Sequence, residues 1–320
     1  MATLCLHIGM PKTGTTSFQN WLATNSDVFR NSGVFVFSRP LFAHRFAVEA
    51  ITSTAIRERN DVRQILQCDF NEVRQELANA ISQNNFEFLL ISSEYFCEAD
   101  PMYVKSMVPP SHSVKVVAVL RRQDRYIESS YNEEVRAGRT RRLEAPKYWP
   151  HFDWWRVLSE WEHSFSLKAV KPLVYEDVIA RDAPLGLQIL HTFDPKLCEI
   201  ARTQCNREQR ANPSISAQLV EMQRLANFFH LPIVRLVGEA GQEALRGPEF
   251  RLDSRVAKQW VEVYRESNRR LAQVFGLSRK ELFPEEDLNS GSRGADCTGK
   301  LSPRLIAKLL GVFLKRRFKI

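Results

Sequence analysis

The chain has 320 residues, 44% of them apolar, enough for one large core or a core with appendages. Its formal charge of +8 is concentrated in residues 300–320, where Lys300, Arg304, Lys308, Lys315, Arg316, Arg317 and Lys319 stand without an acidic residue; the rest holds 38 basic against 37 acidic side chains. That near-neutrality excludes a domain-wide basic face for nucleic acid, and six cysteines and seven histidines without C-x-x-C, H-E-x-x-H or mixed clusters indicate neither a zinc site nor a disulfide framework. In chain order, Leu4 to Ile8 reads as a buried strand, leaving no room for a signal peptide before it, and Asp61 to Ser82 as an amphipathic helical stretch. Phe88 to Ser92, Val114 to Leu120 and Leu167 to Tyr175 are further strand-like runs, with the helical segment Asp124 to Val135 among them. Helical patterns over Ile215 to Phe229 and Ser254 to Val274 make the C-terminal half more helical. Strands alternating with helices predict an α/β fold with a mostly parallel sheet. No apolar run approaches the ~20 residues that cross a bilayer, so a soluble, cytoplasmic protein of a reducing compartment is expected.

The segment Leu6 to Ser17 joins the first strand to a helical pattern, with Gly9 and Gly14 at the spacing of a phosphate-binding loop. A nucleotide P-loop needs Lys directly after the second glycine; here that position is Thr15, and Lys12 lies inside the loop. The variant Pro11-Lys12-Thr13-Gly14-Thr15-Thr16 resembles the 5′-phosphosulfate loop of sulfotransferases that use 3′-phosphoadenosine 5′-phosphosulfate (PAPS), most of all bacterial cytosolic members. The resemblance implies a second signature, an Arg closing a strand and a Ser eight residues later, which together hold the 3′-phosphate. Arg121 closes Val114 to Leu120 and Ser129 follows at that distance, although Arg121-Arg122-Gln123 departs from the common Arg-Asn-Pro pattern. Arg122 and Arg125 are then either extra phosphate contacts or solvated side chains.

The resemblance implies a three-layer, P-loop-like fold, with residues 1–285 as the sulfotransferase domain; by composition 286–300 is a linker and 301–320 a basic amphipathic helix or disordered tail. It implies PAPS as donor, adenosine 3′,5′-bisphosphate as product and no metal. Pro11 to Thr16 would hold the 5′ side, and Arg121 and Ser129 the 3′ side. Lys12 would stabilise charge on the leaving oxygen. Family members use either His or Glu as the base that takes the acceptor proton. Glu94, emerging after the strand-like run from Phe88, and His44, 32 residues after Lys12, are the two candidates, with Glu94 preferred.

Other segments carry weaker signals. Arg136, Arg139, Arg141 and Arg142, followed by Tyr148, Trp149, Trp154 and Trp155, form either an acceptor surface or a solvated loop over a tryptophan cluster, the second being preferred. Val174-Tyr-Glu-Asp-Val178 resembles a strand-end element of the family with a scaffold role, and Asn206 to Ser216 is a candidate covering loop. In the tail, Leu305, Ile306, Leu309, Leu310, Phe313 and Leu314 recur at helical spacing among cations, which suits contact with an anionic membrane. The acceptor is a small molecule or a glycan, a carbohydrate or lipid-linked glycan being favoured. A P-loop small-molecule kinase and a non-catalytic nucleotide-binding protein recruited by its tail are the alternatives.

Overall fold

The structure is a computed structural model that describes residues 2–10, 12–37, 40–67, 70–82, 86–108, 112–180, 184–206, 215–244, 247–277 and 282–283. Five strands, β1 (Thr3–Ile8), β2 (Val34–Val36), β3 (Phe88–Ser93), β4 (Ser113–Leu120) and β5 (Val170–Val174), form one parallel sheet in the order β2-β3-β1-β4-β5. The helices before β4 are α1 (Thr15–Thr24), α2 (Ser26–Asn31), α3 (Pro40–Glu49), α4 (Thr54–Arg57), α5 (Asn60–Leu66), α6 (Phe70–Ser82) and α7 (Pro101–Ser106). After it come α8 (Gln123–Arg136), α9 (Trp154–Phe165), α10 (Tyr175–Ala180), α11 (Leu185–Phe193), α12 (Pro195–Gln204), α13 (Ala217–Ala226), α14 (Ile233–Ala244), α15 (Ser254–Val263) and α16 (Arg265–Val274). The fold is therefore α/β with an all-parallel central sheet, and beyond β5 the described elements are helical apart from one antiparallel bridge, Ser216 to Glu249.

The chain divides into two compact units. The first gathers the described residues of Met1–Arg121, Trp149–Ala211 and Glu266–Leu282 and contains the whole sheet; the second gathers those of Arg122–Tyr148, Asn212–Arg265 and Phe283–Ile320. The linker and tail assigned to 286–320 lie outside the described residues.

In the first unit the sheet is covered on both faces, which is why its inner strands read as continuous apolar runs. Alternation sends Cys5, Leu90, Val117 and Val119 to one face, where they join Phe18, Trp21 and Leu22 of α1, Phe29 of α2 and the inner sides of α11 and α12. The other face carries Leu4, Leu6, Ile8, Leu89 and Ile91, and α3 lies against β3 there. Phe46 of α3, Phe96 after β3 and Trp161 of α9 stack edge to face through this layer. Local signals fix the helix starts: the Asp153 carboxylate accepts from the N–H of Arg156 at 3.0 Å, and Asp194 from that of Lys196 at 3.0 Å with Pro195 in the first turn. Pro172 sits in β5, an edge strand, where a missing N–H is tolerated.

In the second unit α13 and α15 pack on α8. Tyr131 and Val135 of α8, Leu219, Val220 and Met222 of α13, and Phe250 make its core. A buried ionic group runs along α8: the Arg122 guanidinium pairs with Asp124 at 2.6 and 2.9 Å, and Glu128 accepts from Arg125 at 3.1 Å, Arg251 at 3.0 Å and the Leu252 N–H at 2.8 Å. Arg122 and Arg125 are thus ion-paired with residues of their own helix, neither of them merely solvated.

One buried titratable group bears on stability. His7 in β1 is fully buried, its Nδ1 2.8 Å from Ser92 Oγ and its ring edge-on to Phe18. Burial disfavours the imidazolium and holds the pKa down to about 3 from 6.5. The unfolded chain therefore takes up the proton first, and stability present above pH 6.5 is lost as the pH falls from there towards about 3. Urea unfolding of wild type and His7→Asn across this window should give a shallower fall for the variant, whatever its absolute stability; parallel curves would contradict a neutral buried His7.

Candidate functional site

The strand order changes direction at β1, with β3 on one side and β4 on the other, and in open parallel sheets ligands settle beyond the carboxyl ends of the strands at such a point. The three segments that leave β1, β3 and β4 there are the loop from Gly9 to Gly14, Ser93 with Glu94, and Arg121.

The loop is held by its own atoms. The Gly9 N–H donates to the Ser93 carbonyl at 3.0 Å, and a Cβ on Gly9 would stand 2.5 Å from Thr15 Cγ2 and 3.2 Å from Glu94 Cα, so only glycine lets the end of β3 come this close. Thr13 Oγ1 donates to the Met10 carbonyl at 2.6 Å, and Thr15 Oγ1 lies 3.4 Å from the same oxygen. Both threonines are buried, so their hydroxyls close the loop, while Thr16 is exposed and Pro11 lies outside the described residues. Gly14 takes a left-handed conformation (φ 84°) as the residue before α1. Lys12 is also left-handed (φ 67°), a conformation that costs a non-glycine residue roughly 1–2 kcal/mol.

The N-terminus of α1 has no side-chain cap and no acidic residue in its first turn. The positive end of its dipole faces the loop, an arrangement that favours an anion. Arg121, just past β4, reaches the same loop: its Nη1 donates to the Lys12 carbonyl, and its guanidinium lies over the Tyr175 ring at 5.0 Å. Its carbonyl accepts from the Trp154 indole at 2.9 Å. The buried Nε of Arg121 has no hydrogen-bond partner among the described residues, a donor that an anionic oxygen would satisfy. Ser129 stands half-buried on α8, in the second unit.

His44 and Glu94, alternatives by sequence, are neighbours. His44 on α3 has Nδ1 2.9 Å from Ser93 Oγ and Nε2 4.0 Å from Glu94 Oε2. Gln19, on the helix that follows the loop, donates to the same Glu94 oxygen at 3.3 Å and to the Ser92 carbonyl at 3.2 Å. Tyr95 packs edge-on against His44 at 5.2 Å. The Glu94 side chain is 34% exposed and that of His44 16%, so Glu94 is the more accessible of the two. Burial lowers the His44 pKa below 6.5, and the Glu94 charge opposes that shift.

Sequence reasoning missed Gln19 and Tyr175 as site residues. The only signal for Tyr175 was the strand-end position of Val174-Tyr-Glu-Asp, and Gln19 sits one turn along α1 with nothing in its spacing to mark it. Of the segment Arg136 to Arg142, Arg139 is engaged with Glu134 and with the carbonyls of Arg141 and Arg142 at 3.0 Å, and Arg142 lies 3.5 Å from Glu221. Trp154 is buried in the first unit, and Trp155 stacks beneath Arg270 at 4.7 Å. Among the described residues no group of three His, Cys, Asp or Glu side chains is placed to hold a metal ion, and no helix is long and apolar enough to cross a membrane.

The opposing effects on His44 make a prediction. Replacing the Glu94 carboxylate removes the negative charge that favours the imidazolium, so Glu94→Gln should lower the His44 pKa further, read by NMR titration of the imidazole against wild type. An unchanged or raised value would mean that the two groups are not electrostatically coupled.

No family model matches the chain. It is 26% identical over 184 residues to an uncharacterized protein of Archaeoglobus fulgidus, an alignment that takes in 54% of this chain and 49% of the relative, so the chain spans about half of that protein's length. Among solved structures it is similar to a sulfotransferase from Alicyclobacillus acidocaldarius, with 14% identity, a TM-score of 0.43, and coverage of 72% of this chain and 96% of the other.

Proposed function

We propose that the protein is a sulfotransferase that moves a sulfuryl group from PAPS to a hydroxyl or amine acceptor, a carbohydrate or lipid-linked glycan being favoured. The observation that carries this reading is the meeting of its two motifs: the strand-closing Arg121, which lies 109 residues after Lys12, hydrogen-bonds to the carbonyl of Lys12 within the loop. The residues fit a nucleotide that carries anionic groups at two positions. An uncapped helix N-terminus, a lysine held in the loop and an arginine with an unsatisfied buried donor are all groups that gain by binding phosphate or sulfate oxygens.

In this reading the N–H groups at the start of α1 and the exposed Thr16 hold the 5′-phosphosulfate. Arg121 binds the 3′-phosphate, with Ser129 assigned to the same phosphate from its place in the sequence motif. Tyr175, lying against the guanidinium, restricts Arg121 to one orientation and so reduces what is lost in ordering it. In the transfer, the sulfur–oxygen bond to the phosphate breaks as a bond to the acceptor oxygen or nitrogen forms in line. The acceptor's proton passes to Glu94, and the phosphate oxygen leaves with the electron pair. Lys12 neutralises the charge that grows on that oxygen, so its contribution rises towards the transition state. Glu94 is the base because it is the more exposed of the pair; Gln19 orients its carboxylate, and neutral His44 stands behind it. We place the enzyme in the cytoplasm; contact of residues 301–320 with an anionic membrane surface is a separate proposal, drawn from the sequence pattern of the tail and independent of the transfer reaction.

Two measurements test it. Lys12→Ala should lower turnover with PAPS and an accepted acceptor 10²-fold or more, the order lost with one charge-stabilising donor, while nucleotide affinity stays within about tenfold. Near-normal turnover would remove Lys12 from the chemistry. Glu94→Gln should lower turnover ~10²- to 10⁴-fold, and His44→Asn less, with a displaced pH profile. The reverse order would make His44 the base, and full activity of both variants would place the base elsewhere.

A further inference from the structure

In the second unit α13 runs into a single 3₁₀ turn, Asn227–Phe229, followed by His230 in a left-handed conformation (φ 54°). Phe228 and Phe229 on this turn are 60% and 75% exposed, and Leu225 before them and Leu231 after them are exposed as well. One exposed apolar side chain is ordinary; four within seven residues of one turn form a patch.

The turn is held rigidly. Both amide hydrogens of the buried Asn227 are used, on the carbonyls of Val135 and Arg139 at 2.8 Å each, and its Oδ1 accepts from Gln223 at 2.6 Å. Gln223, also buried, donates to the Leu231 carbonyl at 2.9 Å and accepts from the Val234 N–H at 2.8 Å. A buried network with its hydrogens all placed fixes one conformation. This one fixes a turn that keeps two phenylalanines in water.

The same hydrogen bonds bring a cationic segment beside the turn. Asn227 bonds the carbonyl of Arg139, and Arg224 donates to that of Thr140 at 2.8 Å. Arg139, Arg141 and Arg142 stand in four residues with no acidic one among them. Arg141, Arg142 and, past the turn, Arg235 are exposed. We propose that this turn is a docking surface for an anionic lipid bilayer, with Phe228 and Phe229 entering the boundary between headgroups and acyl chains and the neighbouring arginines meeting lipid phosphates. Charge decides the occupant: Arg139 is paired with Glu134, and Arg142 and Arg224 share Glu221, yet with Arg141 and Arg235 the arginines beside the turn outnumber these carboxylates five to two, and fixed aromatics with a cationic surplus suit an interface that is apolar below and negative at its surface. The inference does not depend on the sulfotransferase reading, and it concerns folded residues distinct from the C-terminal tail.

The test is sedimentation of the full-length chain with phosphatidylcholine vesicles and with vesicles containing phosphatidylserine, at low and high salt. It is repeated in a full-length background carrying Leu309→Glu and Leu310→Glu, which takes away the apolar stripe of the tail. Binding is expected with phosphatidylserine and at low salt. Phe228→Ser with Phe229→Ser should lower the partition coefficient about tenfold or more in both backgrounds, whereas Leu at both positions keeps it within about threefold. Arg141→Gln with Arg142→Gln should lower it on the order of tenfold for phosphatidylserine vesicles only. Both phenylalanines are exposed, so the Ser pair should melt with wild type; if it does not, the arginine pair decides. Unchanged binding of the deciding pair overturns the proposal. So does a concentration-dependent dimer that the Ser pair turns into monomer, which would make the turn an interface between copies.

Discussion

The pairing of β1 with β3 on one side and β4 on the other is the constraint on which the rest of the first unit depends. Registers of Ile8 with Ser93 and of Ile8 with Ala118 bring three chain exits to one edge of the sheet, although the first and the last of them lie more than a hundred residues apart in sequence. At that edge the Gly9 N–H meets the Ser93 carbonyl, and the close approach of Glu94 to Gly9 follows. A larger residue at Gly9 would force apart the loop and the segment that carries Glu94. The glycine is therefore a condition for Glu94 and the loop to share one site.

What the arrangement offers chemically is an excess of positive potential at one point. The start of α1 is uncapped, Lys12 and Arg121 add two cations to the same loop, and the hydroxyls of Thr13 and Thr15 are turned inward to keep its shape. A loop that only connected a strand to a helix would not be expected to hold a lysine in a left-handed conformation, since glycine or asparagine fills such a position at lower cost. Glu94 and His44 stand beside this loop, their inner atoms held by Gln19 and Ser93.

Much of this edge was legible because its signals are local. Continuous apolar runs mark strands buried on both faces, and β1, β3 and β4 emerge within a residue or two of where the sequence places them. The glycine spacing of the loop depends on backbone geometry alone, so it too can be read in one dimension. Where pairing across distance decides, the sequence was silent. β2 is three residues long, too short for any periodicity. The helical stretch from Asp61 to Ser82 is two helices, and that from Ser254 to Val274 is divided at Tyr264, whose backbone leaves the helical region at φ −111°, ψ 8°. The strand-like run from Leu167 keeps only Val170–Val174, the part that finds β4 as a partner. His44 and Glu94 could be proposed one by one, but their adjacency depends on α3 lying over β3, which no spacing announces. Arg121 over Tyr175 is the same case: two strand ends brought together by β4 pairing with β5.

The central claim, that this edge is built for a nucleotide with phosphates at both its 3′ and 5′ positions, is tested most directly by calorimetry of the full-length chain with adenosine 3′,5′-bisphosphate, adenosine 5′-phosphate and ATP with magnesium. Charge-assisted bonds from a guanidinium contribute about 1.5–3 kcal/mol, so the bisphosphate should bind at least tenfold more tightly than the monophosphate, and more tightly than ATP. Equal affinity for the bisphosphate and the monophosphate, or a clear preference for magnesium ATP, would contradict the account.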